Sequence, residues 1–252
     1  MKVVVLAGGM GTRIREERKP KPLVEIGQKP LLWHVMQIYK KYNFNEFIIC
    51  LGYKSSLIKE YFIKSYKKSL KTNIQIFKNK IIITEGKSPY LSITLVDTGV
   101  KTKTGGRLRK IRNLLEDESF LLCYADDLKN VNMNKLVKFH RKQKSIVTLT
   151  GMNYSERFGI LKIRQNKVVD IIEKPQNTNW INGGYYVMEP EVFHFIKNDN
   201  VSFETESLKI LTRKNKVSIF KYTGEYVPLD TLNDKIRLEK LWNSKQAYWK
   251  TW

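Results

Sequence analysis

The first residues able to do chemistry lie in LAGGMGTRIREERKPKPLVEIG, Leu6 to Gly27. Gly8, Gly9 and Gly11 follow directly on an apolar run. Glycines let backbone N–H groups approach an anion and point at it together. Arg13 adds a forked cation suited to phosphate oxygens. Lys21 adds a point charge, held on stiff extended backbone by Pro20 and Pro22. The stretch reads as a cradle for a polyphosphate. It is not a Walker loop, because no Lys-Ser or Lys-Thr follows the glycines, and Gly9, Gly11 and Ile14 do not complete a dinucleotide fingerprint. Two carboxylates stand out further along. Asp126 follows the buried-strand pattern FLLCY, and Asp230 lies in VPLDT. One or two carboxylates suffice for Mg2+, which keeps several waters. The competing role for Asp126 is a helix cap or Asx-turn, which Asp127 suits better.

These groups need a scaffold. KVVVLA (2–7), EFIICL (46–51) and FLLCY (120–124) are continuous apolar runs, the mark of strands buried on both faces. Helical periodicity covers 30–42, 57–66, 105–116 and 133–143, with further strand-like runs at 73–77, 80–85, 91–96 and 146–151. The alternation of strand and helix implies an α/β fold with a doubly wound, mostly parallel, Rossmann-like sheet. After Gly151 the pattern changes to short runs at 159–163, 167–173 and 183–188, then helices near 190–197, 205–213 and 232–244. The expectation is one domain, 1–252, with a nucleotide-binding core at 1–150 and a small C-terminal α+β subregion at 151–252. In such a sheet, ligands bind outside the carboxyl ends of the strands, where Gly8 and Asp126 both fall.

Composition narrows the classes. The chain has 252 residues, 42% of them hydrophobic, enough for a sizeable core. No window approaches a membrane span and no signal-type segment opens the chain, so the expectation is a cytoplasmic protein without a membrane partner. Cys50 and Cys123 end apolar runs and read as buried thiols rather than a disulfide or metal pair. The formal net charge is +22. The lysines are spread along the chain, with no nucleic-acid-binding motif spacing. The excess therefore reads as a solvated lysine-rich surface that steers an anionic substrate, with no nucleic acid as partner.

The cradle together with KPLLWHVM, FIICLGYK, LVDTG, TGGRLRKI, EKP, INGGYYVM, PLDTLNDK and the closing WKTW resembles the sugar nucleotidyltransferase family. The likeness runs along nearly the whole chain and is greatest to the cytidylyltransferase branch. It implies a magnesium-dependent enzyme that joins CTP and glucose 1-phosphate into CDP-glucose with release of pyrophosphate, working as a homo-oligomer. It places Leu6, Ala7, Gly8, Gly9, Gly11 and Thr12 on the nucleotide. Arg13 falls on the β and γ phosphates, Lys21 on the reacting α-phosphate, and Asp126 and Asp230 on the metal. Thr98, Gly105, Gly106 and Arg107 match the segments that face the base, and Tyr124, Glu173, Lys174, Asn182 and Gly183 those that face the acceptor.

The sequence also departs from the family. Tyr124-Ala125-Asp126-Asp127 replaces Tyr-Gly-Asp-Gly, Tyr226-Val227-Pro228-Leu229 replaces Trp-Gln-Pro-Met, and Tyr154-Ser155-Glu156 replaces Pro-Pro-Gly. None removes an expected cation or metal ligand. Several fall near the acceptor, leaving open another phosphorylated acceptor, a different sugar 1-phosphate or a small non-sugar phosphate.

Overall fold

The structure is a computed structural model that describes residues 1–10, 19–67, 69–86, 90–153, 160–172 and 180–252. The chain runs β1 (Val3–Ala7), β2 (Glu25–Ile26), β3 (Lys29–Pro30), α1 (Leu31–Lys40), β4 (Glu46–Leu51), α2 (Ser55–Tyr66), β5 (Thr72–Ile76), β6 (Lys80–Glu85) and β7 (Leu91–Asp97). It continues through α3 (Thr104–Ile111), β8 (Phe120–Tyr124), α4 (Met133–Gln143), β9 (Val147–Asn153), β10 (Ile160–Arg164) and β11 (Lys167–Ile172). β12 (Trp180–Met188), α5 (Leu208–Arg213), β13 (Val217–Tyr222) and α6 (Leu232–Asn243) complete it.

Among the described residues nine strands form one sheet in the order β13-β9-β12-β8-β1-β4-β7-β6-β5. The four central strands, β8-β1-β4-β7, are parallel. β12 and the β5–β6 pair join antiparallel. Strand β13 is an addition to the expected set. VSIFKY lies at the sheet edge and is only half-buried, so its sequence shows no continuous apolar run. It pairs parallel with β9.

The buried runs form strands because both sides of the sheet are covered. Val3, Val5 and Ala7 of β1 pack with Leu31, Val35 and Ile38 of α1 and with Leu136 and Leu238. Val4 and Leu6 face the other layer, against Leu108, Ile111, Phe203 and Leu211. Every residue of β1 is at most 7% exposed, which removes most of its apolar surface from water and anchors the glycine turn that follows. Cys50 and Cys123 are buried free thiols, as their positions predict. Trp249 lies in the core, where its indole N–H donates to His34 Nδ1 at 3.4 Å. No helix among the described residues is long and apolar enough to cross a membrane.

Candidate active site

β1 lies between β4 and β8, and the chain passes from one side of it to the other. A crevice opens there at the carboxyl ends of the strands. Gly8 and Gly9 continue β1 into it. A Cβ on Gly8 would stand 2.1 Å from the Arg107 guanidinium, so this position admits only glycine without rearrangement. Gly9 meets nothing within 4 Å and is open to the crevice.

Arg107, from α3, organises the mouth. Its guanidinium donates to Gly8 O at 3.0 Å, Leu51 O at 2.8 Å and Thr98 Oγ1 at 2.6 Å. One buried cation thus ties together the ends of β1, β4 and β7. Burial lowers its pKa below the usual arginine value. Thr98 donates in turn to Leu51 O at 2.6 Å. Asp97 shapes the turn behind it, accepting from Gly99 N, Ser55 Oγ and Lys59 Nζ. Burial raises the Asp97 pKa, but these donors outweigh it and the carboxyl titrates below its usual value.

The crevice holds two clefts. The larger, about 550 Å³, is lined by Leu6 to Gly9, Thr102 to Thr104, Arg107 and Glu204. The smaller, about 260 Å³, is lined by Asp127, Lys129, Asn182 to Gly184, Tyr226 and Asp230. Lys21, Tyr124 and Asp126 line both. Lys21 Nζ stands 2.7 Å from Asp126 Oδ2 and 3.1 Å from Asp230 Oδ1. Burial lowers the Lys21 pKa, but the two carboxylates reverse this, and the ammonium titrates above its ordinary value. The carboxylates converge so closely that one cation touches both. Oxygen ligands in that arrangement, beside open space for phosphates and waters, fit a hard divalent ion such as magnesium.

The residues expected at the site divide into three groups. Leu6, Ala7, Gly8, Gly9, Lys21, Arg107, Tyr124, Asp126, Asn182, Gly183 and Asp230 all line the clefts. Thr98, Gly105 and Gly106 are not among the residues that line either cleft. Thr98 is fully buried behind Arg107. The N–H groups of Gly105 and Gly106 donate to Val201 O at 3.0 and 3.3 Å. A Cβ on Gly106 would meet Asp199 O at 2.1 Å, so these glycines admit close packing of α3 against the 199–201 segment. Gly11, Thr12, Arg13, Glu173 and Lys174 lie outside the described residues. Asn182 Oδ1 accepts from Gly184 N at 3.0 Å, where β12 shifts register.

Two groups escape sequence reasoning. Glu204, in a π-helical turn at Phe203–Ser207, takes the Tyr124 phenol on Oε1. Its Oε2 accepts from Thr104 Oγ1 at 2.6 Å and Ser202 Oγ at 3.1 Å. Burial, with Tyr186 and Glu204 nearby, raises the Tyr124 pKa and keeps the phenol protonated. In sequence, SFETES reads only as a helix start. Lys129, in the polar run DLKNV, reads as a solvated lysine, yet it is 1% exposed. It pairs with Asp127 and sits 4.3 Å from the Tyr226 ring centroid and 5.0 Å from that of Tyr185.

Two clefts that share a lysine and a carboxylate are what a transfer between two phosphorylated substrates requires. The chain belongs to the nucleotidyl transferase family, which it matches over residues 2–227. It is 40% identical over 256 residues to the glucose-1-phosphate cytidylyltransferase of Salmonella typhimurium, covering all of both chains. It is 37% identical over 255 residues to the probable glucose-1-phosphate cytidylyltransferase of Bacillus subtilis, again covering both in full. The fold is similar to that of HddC from Yersinia pseudotuberculosis complexed with GMP-PN, with a TM-score of 0.69, 23% identity and coverage of 96% of this chain and 99% of that one. It is similar also to a putative glucose-1-phosphate thymidylyltransferase from Bacillus anthracis, with a TM-score of 0.69, 16% identity and coverage of 98% and 95%. At these identities the two structures speak for the fold alone.

Proposed function

We infer that this enzyme transfers the cytidylyl group of CTP to glucose 1-phosphate, giving CDP-glucose and pyrophosphate. The observation that carries the mechanism is the meeting of the two clefts at Lys21. CTP occupies the larger cleft, its phosphates over the backbone after β1. The acceptor occupies the smaller cleft, with its phosphate toward Lys21. An oxygen of that phosphate attacks the α-phosphorus, the P–O bond to the β-phosphate breaks in line, and pyrophosphate leaves. The attacking group is already an anion, so no base is needed, and positioning and charge neutralisation supply the rate. Lys21, kept protonated by Asp126 and Asp230, donates to the α-phosphate as negative charge concentrates there. Asp126 and Asp230 are the residues that would hold magnesium, which when bound neutralises phosphate charge. Arg13 belongs on the β and γ phosphates, Gly11 and Thr12 on the nucleotide, and Glu173 and Lys174 on the acceptor. Arg107 bears on base choice by fixing the walls of the nucleotide cleft.

The hairpin β10–β11 supports self-association. Ile163, Val168, Val169 and Ile171 are each more than half exposed, an apolar face that a second copy would cover. Sedimentation of the purified protein against a variant with Val169→Lys and Ile171→Lys tests this, with a shift to smaller species expected. A cytoplasmic location goes with this reading, both substrates being small water-soluble phosphate esters. Pyrophosphate release with magnesium, measured for CTP, UTP, dTTP and ATP against hexose 1-phosphates and small non-sugar phosphates, tests the activity. Release with CTP and glucose 1-phosphate is expected. Release with CTP and only another acceptor would keep the chemistry and move the substrate, the alternative raised by Asp127 and Tyr226 in the acceptor cleft.

A further inference from the structure

Asp127 stands where the family pattern has glycine, and it is 7% exposed, in the wall of the smaller cleft. It is held from two sides. Its Oδ1 takes the Lys129 ammonium, and its backbone carbonyl accepts from the Tyr185 hydroxyl at 2.6 Å. Lys129 is enclosed by the Tyr185 and Tyr226 rings and points at Asp127, and burial lowers its pKa to about 7. Oδ2 lies over Gly184, whose φ is +77° and where a Cβ would stand 2.5 Å from that oxygen. Among the described residues the side-chain partner of Asp127 is Lys129, on Oδ1. A carboxylate in a cleft wall, held by a buried lysine, is a standing hydrogen-bond acceptor. It costs no reorganisation when a ligand hydroxyl arrives.

We propose that Asp127 reads the hydroxyl groups of the acceptor, its Oδ2 accepting from one ring hydroxyl or a neighbouring pair, and that Lys129 is the positioning residue that fixes it. The inference rests on the acceptor occupying the smaller cleft. It defines the acceptor class as a polyhydroxylated phosphate ester. A deoxy acceptor leaves the carboxylate buried without a donor, and an acceptor bearing a carboxylate at that position meets a like charge.

The test compares wild type with Asp127→Asn and with the double variant Asp127→Gly/Lys129→Ala. The double variant removes both charges and avoids an unpaired buried lysine. Calorimetry gives the affinity of CDP-glucose relative to CDP, which isolates the contribution of the sugar. Near-ultraviolet circular dichroism establishes that each variant is folded. The affinity ratio should fall about tenfold to a hundredfold in both variants, the worth of a hydrogen bond to a charged group, with CDP affinity within about twofold of wild type. In turnover, KM for glucose 1-phosphate should rise more than kcat falls. Among the monodeoxy glucose 1-phosphates, at least one that wild type discriminates against should be accepted by the variants as well as the parent sugar. An unchanged ratio and unchanged discrimination in a folded variant would overturn the inference. Wild type binding CDP-glucose no tighter than CDP would contradict the glucose reading instead. The same variants compared across CDP-hexoses and CDP-polyols then decide: loss of the increment with the preferred ligand upholds the role of Asp127, and no increment with any ligand overturns it.

Discussion

Replacing Arg107 by methionine tests whether one guanidinium holds the mouth of the nucleotide cleft. The side chain is 4% exposed and makes three hydrogen bonds, to Gly8 O, Leu51 O and Thr98 Oγ1. A hydrogen bond to a charged group contributes about 1.5–3 kcal/mol, so a simple sum overstates the loss. Leu51 O also accepts from Thr98 N, and Gly8 O from Tyr53 N, so neither carbonyl is orphaned. Methionine also escapes the desolvation that the guanidinium suffers. The net cost is then about 2–4 kcal/mol, which in a chain of this size lowers Tm by roughly 5–15 °C. Scanning calorimetry on Arg107→Met and Arg107→Lys reads the shift. Lysine keeps the charge but replaces the fork by one ammonium, so it should fall between methionine and wild type. Initial rates on the same samples should show a raised KM for CTP and a narrower preference for CTP over UTP. A Tm within about 2 °C of wild type, together with an unchanged KM for CTP, would refute the clamp.

Three further outcomes follow from the geometry. Lys21→Ala should lower kcat by roughly a hundredfold to a thousandfold with a smaller effect on CTP affinity, because its ammonium acts as charge builds at the α-phosphate; unchanged turnover would remove it from that role. Asp126→Asn should lower activity at ordinary magnesium by about a thousandfold, and full activity at unchanged magnesium demand would show that the ion is held elsewhere. His34 gives a pH signature. Burial lowers its pKa from 6.5 to about 4, the neutral ring bonding Ile26 O at 2.8 Å while Nδ1 accepts from Trp249. A depressed folded pKa means this stability is fully present above pH 6.5 and is lost as pH falls toward 4. The loss is about 3 kcal/mol. Denaturant midpoints between pH 7.5 and 4.5 should therefore fall more steeply in wild type than in His34→Gln, and parallel curves would contradict it.

The parts of the fold legible in the sequence were those where one physical cause dominates. β1, β4 and β8 are buried on both faces, so their apolar runs are unbroken. The glycines after β1 and the aspartate after β8 fall at the ends of neighbouring strands, which is why the crevice could be placed. β13 was not legible, because half-buried edge residues leave a mixed pattern. Gly105 and Gly106 also admit the close approach of the 199–201 segment, a contact that no local pattern shows. The burial of Lys129 and the site contacts of Glu204 depend on residues far away in the chain, Tyr185 and Tyr226 for the one and Tyr124 and Thr104 for the other. Nothing local distinguishes a lysine enclosed by Tyr185 and Tyr226 from one in water.

In this mechanism the acceptor phosphate attacks the α-phosphorus of CTP. Glucose 1-phosphate carrying 18O on the non-bridging oxygens of its phosphate, incubated with CTP, magnesium and the enzyme, tests it most directly by 31P NMR. CDP-glucose and pyrophosphate should form in equal amounts, with 18O in the new bridge and on the glucose-linked phosphorus, and none in pyrophosphate. Label in pyrophosphate, release of free phosphate in its place, or CMP without CDP-glucose would contradict it.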